Sequence, residues 1–446
     1  MIAALTLDPM RWAAAGVLLA MYALLCVAVR RRAQSIAASD AQWLVAYASQ
    51  TGTAETLASQ TVATLRTAGL SAEATPLSAL DEARLAGAER VLFVVSTFGE
   101  GDAPDNGVRF AERWLGRSAS LSHLHYAVLA LGDTSYQHFC GFARSLDAWL
   151  AAQGAQALFQ RIEVDRGDAR AVEAWQEHLC HLSGASDVDA WTEPEYEAWT
   201  LVERTELNPG SAGAPVYRIR LKPAGSALPQ WQSGDLVQVS APAEPHLPRE
   251  FSIGSIPAEG HVELLVRLQV HVDGSLGVAS GWLCRGAGVG GVVSLRVRPH
   301  ARFQLGENAR RPVLFIGNGT GIAGLRAHLA QRIAAGEYRN WLLFGERSAA
   351  HDYHDRATLE AWRARGALAR IDTAFSRDQS EKRYVQHVLL ECADEVRRWV
   401  EEGGAIYVCG SLRTMAAGVH EALVSILGAP RVNGLADEGR YRRDVY

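Results

Sequence analysis

The sequence predicts a multidomain α/β protein: a doubly wound parallel sheet, then an antiparallel β-barrel, then a second α/β sheet. Three observations carry this reading. The chain has 446 residues, too many for one ordinary core, so two or three domains are expected. Apolar runs at Leu44–Ser49, Val91–Ser96 and Ala127–Gly132 alternate with helical patterns such as Thr53–Ala68 and Val108–Trp114. Strands without polar alternation, separated by helices, belong to a parallel sheet covered on both faces. From about Trp199 the pattern changes: Val216–Leu221, Leu236–Val239 and Val262–Val270 lie between Gly/Pro turns, as in an antiparallel barrel. After Pro312 the α/β rhythm returns with Val313–Ile316, Trp341–Phe344, Ala369–Thr373 and Ile406–Val408.

Ahead of these lies Trp12–Val29, eighteen apolar residues without a charge, between Arg11 and Arg30-Arg31-Arg32. A helix of that length rises about 27 Å, near a bilayer's hydrocarbon thickness. The excess of arginine on its C-terminal side predicts a single-pass span of the inner (cytoplasmic) membrane, with the folded domains in the cytoplasm. A signal peptide would carry its positive charge before the apolar run, and a buried soluble helix would show a polar stripe. The expected organisation is a tail at 1–11, a span at 12–29, a linker at 30–42, and a first domain at 43–184. A second linker at 185–198, a barrel at 199–308 and a final α/β domain at 309–446 follow.

Composition excludes several classes. A net charge of −5 gives no electrostatic case for nucleic acid. The six cysteines form no C-x-x-C pair and no zinc or iron–sulfur spacing, so reduced thiols and no metal site are expected. Gly-x-Ser-x-Gly is absent. Lys222 and Lys382 are the chain's two lysines, which draws attention to the surroundings of each.

The first candidate site joins three loops. Ser49-Gln50-Thr51-Gly52-Thr53-Ala54 follows the first strand and opens a helix, where backbone N–H groups and hydroxyls wrap a phosphate. Alone it would read as an N-cap turn. Ser96-Thr97-Phe98-Gly99-Glu100-Gly101-Asp102 and Leu131-Gly132-Asp133-Thr134-Ser135-Tyr136 follow two further strands. All three loops should meet at the carboxyl edge of one sheet, where ligands bind in such folds. Phe98 and Tyr136 would sandwich a flat ring.

These loops resemble the flavodoxin-like FMN domain of the diflavin reductases, a family that includes the sulfite reductase flavoprotein subunit and the microsomal NADPH–haemoprotein reductases. The run from Leu131 to Tyr136, followed by Phe139-Cys140, is especially similar to the former. The resemblance adds Asp165 as an acidic residue near FMN. It implies that the second half is a ferredoxin-NADP reductase-like module, a FAD-binding barrel followed by an NADP domain. Arg249-Glu250-Phe251-Ser252 is similar to the family's R-x-Y-S motif: Arg249 would hold the FAD pyrophosphate, Phe251 would pack on the ring, and Ser252 would bond near the hydride-accepting nitrogen. Gly277-Val278-Ala279-Ser280 looks like the turn contacting the pyrophosphate. Gly317-Asn318-Gly319-Thr320-Gly321-Ile322-Ala323 resembles the nicotinamide-site loop, with Gly324-Leu325 where relatives often have Pro-Phe.

Ser376-Arg377 and Lys382-x-Tyr384-x-Gln386 match the spacing of the family's NADPH-selecting motif. A 2′-phosphate needs cations and hydroxyl donors, whereas a ribose hydroxyl prefers an acidic acceptor. Cys409 ends the last sheet strand, and the chain closes on Arg440-Tyr441-Arg442-Arg443-Asp444-Val445-Tyr446. By the resemblance, Cys409 and Asp444 join Ser252 as catalytic residues of hydride transfer, Cys409 also contacting NADP. Tyr446 would shield the FAD ring until nicotinamide displaces it. Without the resemblance, such a charged tail would read as frayed.

The resemblance thus implies a route from NADPH through FAD and FMN to a one-electron acceptor protein carrying haem or an iron–sulfur centre, with the bilayer as a second partner and no nucleic acid. Two other readings stay open: a flavin-dependent reductase of ferric chelates, quinones or other small acceptors, and a membrane scaffold with degenerate cofactor loops. One departure stands out. Ser240 to Pro248 alone separates the barrel strand from Arg249, where larger relatives insert a helical connecting domain. From Trp43 to Gly184 there are ten arginines, no lysine and sixteen acids, a net charge of −6. Glu100, Asp102 and Asp105 are therefore expected to form a negative rim for a basic partner.

Overall fold

The computed structural model describes residues 43–183, 191, 195–225 and 227–446. Its first sheet is parallel, in the order β2-β1-β3-β4-β5, with β6 also paired to β4. These strands are β1 Trp43–Ala48, β2 Ala72–Pro76, β3 Arg90–Ser96, β4 His125–Gly132, β5 Gln156–Ala157 and β6 Ile162–Asp165. β1, β3 and β4 are buried on both faces, which explains their unbroken apolar runs. Phe93, Phe110 and Trp149 fill one side, Trp175 and Leu179 the other. The strand order reverses at β1 and β3, so their carboxyl ends open the crevice where ligands bind in such sheets.

The second sheet is antiparallel and forms a half-barrel, ordered β10-β9-β12-β7-β8-β11. It comprises β7 Glu197–Glu206, β8 Val216–Pro223, β9 Leu236–Ala241, β10 Glu244–Ser252, β11 Val262–Arg267 and β12 Val292–Arg298. β7 begins inside the stretch expected to be linker, because Trp199 and Leu201 are fully buried in the barrel. β9 and β10 form a direct hairpin, its register shifting between Glu244 and Arg249. No helical insertion separates them.

The third sheet is parallel again, β15-β14-β13-β16-β17. It consists of β13 Val313–Asn318, β14 Asn340–Glu346, β15 Arg370–Phe375, β16 Ala405–Gly410 and β17 Tyr441–Val445. β17 is the charged C-terminal segment, for which no strand was expected. It pairs with β16 from Ile406↔Tyr441 to Gly410↔Val445. Its charges are partnered: Arg442 donates to the carbonyls of Ala301 and Gln304, at 3.0 and 2.6 Å.

A buried ionic hub fixes the half-barrel against the last domain. Glu263 on β11 is 1% exposed, with Arg220 at 2.8 Å, Arg218 at 3.4 Å and Arg326 at 3.8 Å. Arg326 comes from the helix Ile322–Ala334, and Arg218 also pairs with Asp355 of the last domain. Burial would push the Glu263 carboxyl up, but His261 and these guanidiniums outweigh it and hold its pKa at about 2. Because the folded value lies below the ordinary one of about 4.3, the contribution is complete above that pH. It disappears as pH falls towards about 2. Glu263→Gln leaves three cations poorly matched and is expected to cost about 3–5 kcal/mol, read as a lower urea midpoint at neutral pH. The loss should shrink below pH 4, where the parent also weakens.

The inner-membrane, single-pass placement is corrected. Among the described residues no helix is long and apolar enough to cross a membrane. Two of the longest, Thr53–Thr67 and Ala169–Ser183, run 15 residues each and bury one face only, short of the roughly 20 apolar residues a span needs. Trp12–Val29, on which the expectation rested, lies outside the described residues.

Candidate flavin and nicotinamide sites

At the carboxyl edge of the first sheet, Ser49 is fully buried and its Oγ accepts the N–H groups of Gly52 and Ala54, at 2.9 and 3.2 Å. The loop thereby curls over the start of the helix Thr53–Thr67, with Gly52 at φ 92°. That left-handed conformation suits glycine and aims successive N–H groups inward. Gln50 Oε1 accepts the Asp105 N–H at 3.1 Å, tying the first loop to the second. The Thr97 amide donates to the Leu131 carbonyl at 2.8 Å, tying the second to the third. Asp133 Oδ1 accepts the Ser135 N–H at 2.8 Å. Ser96 ends β3, and the turn from Phe98 through Gly99 and Gly101 is closed by the Phe98–Asp102 bridge.

Asp165 ends β6 and accepts the Thr134 N–H and hydroxyl, both at 2.9 Å. Burial disfavours its charge, but these bonds and Arg166 prevail, so its pKa is lowered. Cys140 caps the helix Gly141–Ala152, and burial pushes its thiol up to about 12. Phe139 packs on the core beside it. Two features fit a bound planar ligand: Thr97 Oγ1 is buried without a partner, and Tyr136 is 38% exposed above the loops. Phe98 packs against the apolar cluster of the third sheet, beside Leu412. It therefore sits at the junction between domains.

A cleft of about 1010 Å³ runs between the half-barrel and the third sheet. Phe251, Ser252, Gly319, Thr320, Ser376, Arg377, Tyr384, Gln386, Asp444 and Tyr446 line it, with Thr51 of the first domain at one end. Gly321 fits only as glycine: a Cβ would stand 2.2 Å from the Cys409 carbonyl oxygen. Close packing of the Gly319–Gly321 turn on β16 thus sets the cleft floor. Ser252 Oγ donates to Asp444 Oδ2 at 2.8 Å, and Cys409 Sγ lies 3.7 Å from the same oxygen. Burial and the adjacent Asp444 push the Cys409 thiol well up, so it remains a neutral donor. Tyr446 is 57% exposed, and its hydroxyl meets Thr320 Oγ1 at 3.3 Å across the cleft.

Arg249, Cys409, Lys382 and the Gly277–Ser280 turn are not among the residues lining the cleft. Lys382 is exposed, and Val278 and Ala279 open a short helix packed beside β9 and β10. Sequence reasoning missed Arg267 and Glu346, which pair across the cleft beside Gly319. It also missed Arg347, whose Nη1 is buried without a partner. Glu346 and Arg347 stand at the carboxyl end of β14, so the sheet-edge rule would have found them. Gln386 Oε1 is likewise buried and unpartnered in the cleft. Among the described residues, no group of His, Cys, Asp and Glu is placed to hold a metal ion.

The first domain is docked on the other two. Arg443 Nε lies 3.1 Å from Asp105 Oδ2, Arg109 pairs with Asp437, and Arg302 lies 3.7 Å from Glu55. Asp105 is thus paired with a cation within the chain and drops out of the expected acidic rim. With no inserted domain between β9 and β10, these direct ion pairs set the placement of the first domain.

A flavodoxin-type sheet whose ligand loops abut a half-barrel and a dinucleotide-type sheet defines a flavin- and nicotinamide-dependent oxidoreductase. The comparisons agree. The flavodoxin family pattern matches residues 45–175, and the oxidoreductase NAD-binding domain pattern matches residues 315–421. The chain is 28% identical to the sulfite reductase [NADPH] flavoprotein alpha-component of Vibrio parahaemolyticus, over 94% of this chain and 89% of that protein. The namesake of Vibrio cholerae is also 28% identical, over 93% and 89%, and that of a Shewanella species 28%, over 93% and 92%. The first alignment spans 553 positions against a chain of 446, so the relatives contain residues absent here. Over nearly its whole length the chain resembles the diflavin reductases: it is an NADPH-dependent flavoprotein reductase with FMN, FAD and NADPH as its cofactors.

Proposed function

We propose that the chain delivers electrons from its FMN domain to a one-electron acceptor protein carrying haem or an iron–sulfur centre. The proposal includes the domain parsing 43–184, 199–308 and 309–446 and the residue roles that follow. The observation that carries it is the direct abutment of the FMN-type loops on the end of the nicotinamide cleft, with Thr51 shared between them. When bound, the cofactors supply hydride acceptance on one side and one-electron release on the other.

The chain's own residues then have distinct tasks. The Ser49–Ala54 loop holds the FMN phosphate, while Phe98 and Tyr136 flank the ring space. Ser252, Cys409 and Asp444 form one hydrogen-bonded group facing the position of hydride transfer. Tyr446 covers that position and must move for nicotinamide to enter. Ser376, Arg377 and Lys382 select the 2′-phosphate.

A small-molecule reductase would use the same cleft, and acceptor-dependent turnover separates the two readings. Candidate haem and iron–sulfur proteins, captured on the reduced chain, should be reduced faster than ferric chelates or quinones at equal concentration. Purified protein should carry one FAD and one FMN per chain, measured by heat release and chromatographic separation. A single flavin type after reconstitution with both would defeat the two-flavin reading, and with it the scaffold alternative would return.

A further inference from the structure

The three FMN-type loops contain no lysine or arginine, although they contain Glu100, Asp102 and Asp133. Between Trp43 and Leu65 the first domain has no basic residue at all. A phosphate dianion in the Ser49–Ala54 loop would therefore rely on backbone N–H groups, the loop hydroxyls and the helix terminus, with no cation from the loops themselves. Arg298, the last residue of β12 in the FAD-type half-barrel, reaches this loop. Its Nη2 donates to the Thr51 carbonyl at 2.9 Å and to Thr53 Oγ1 at 2.8 Å, and Nη1 lies 3.5 Å from Thr51 Oγ1. Glu250 pairs with the same guanidinium and fixes its direction, and the side chain is 14% exposed. Two residues on, His300 Nε2 lies 3.4 Å from the Gln50 carbonyl. Two further on, Arg302 lies 3.7 Å from Glu55 in the helix's first turn. One segment, Arg298 to Arg302, thus holds the loop along its length.

We propose that Arg298 is a positioning residue of the FMN phosphate site, supplied in trans by the FAD half-barrel, so that FMN affinity and domain docking are linked. The inference rests on the assignment of Ser49–Ala54 to the FMN phosphate. By linkage, docking strengthens FMN binding by the factor by which FMN strengthens docking. When the first domain lifts off the barrel, the loop loses the three Arg298 contacts and the guanidinium charge with them, and FMN is held less tightly. The docked form is thus both the electron-transfer geometry and the cofactor-retaining form.

The test titrates FMN into the full chain after FMN removal, following quenching of flavin fluorescence. Arg298→Ala should weaken FMN about 10–100-fold, the range expected on losing hydrogen bonds from a charged donor, while FAD content stays at the parent's. Arg298→Lys should recover part of the loss. Arg109→Ala, which removes the Arg109–Asp437 docking pair away from the loop, should weaken FMN several-fold, and adding it to Arg298→Ala should change little. Raised salt should weaken FMN in the parent more than in Arg298→Ala. Unchanged FMN affinity in Arg298→Ala, with FAD retained, overturns the proposal. Ser49→Ala separates the two layers: if it loses FMN while Arg298→Ala does not, only the trans contribution is wrong. If Ser49→Ala has no effect, the phosphate-site assignment itself fails.

Discussion

Arg377→Ala combined with Lys382→Ala is expected to weaken NADPH by roughly 3–6 kcal/mol, the loss of two charge-assisted phosphate contacts, and to leave NADH nearly unaffected. The structure divides that effect unequally. Arg377 lines the cleft, and its amide is anchored to the Arg347 carbonyl at 2.8 Å. Ser376 is similarly anchored, its amide to the Glu346 carbonyl at 2.9 Å, and is 8% exposed. Lys382 is exposed and outside the lining, so it must swing inward to reach a phosphate. Ordering a long side chain offsets part of its gain. Arg377→Ala alone should therefore account for most of the loss. The measurement is kcat/KM for both nucleotides, and equal damage to NADPH and NADH would remove these residues from phosphate selection. Deleting Tyr446 should act in the opposite sense: without its ring over the cleft and its contact to Thr320, nicotinamide dwells longer and NADH use rises.

The sequence made the strands and loops legible where physics is local. β1, β3 and β4 announced themselves because burial on both faces leaves no room for polar alternation. The three FMN-type loops were readable because each follows a strand at one sheet edge. β17 was not, because Arg442, Arg443 and Asp444 find their partners in segments more than a hundred residues away: Ala301, Asp105 and Ser252. The same holds for the domain docking. No pattern near Arg298 or Asp105 reports that a barrel arginine lies on the Ser49–Ala54 loop or that the C-terminal strand holds the first domain. Side chains on β17 alternate as in any strand, so Asp444 faces Ser252 while its neighbour Arg443 faces Asp105. The contact to Ser252 and the docking contact are made by successive residues of one strand.

Asp444→Ala is expected to slow hydride transfer from NADPH by roughly 10²–10³-fold, the scale of losing one preorganised electrostatic group, while NADPH binding changes little. The carboxylate is 6% exposed and held by the Ser252 hydroxyl at 2.8 Å and the neutral Cys409 thiol at 3.7 Å. Both neighbours are donors and hold the carboxylate in place at the cleft. Nicotinamide gains positive charge as hydride leaves it, and a fixed carboxylate favours that change over the uncharged ground state. The effect should therefore appear in the rate of flavin reduction under single turnover, with a larger primary isotope effect from deuterated NADPH as hydride transfer becomes limiting. Asp444→Asn keeps an acceptor for Ser252 but removes the charge, and should fall close to alanine. Ser252→Ala and Cys409→Ala remove one orienting donor each and should cost less. If Asp444→Asn instead reduces flavin at the parent's rate while Asp444→Ala does not, the carboxylate acts by shape and hydrogen bonding, and its charge has no part in the step.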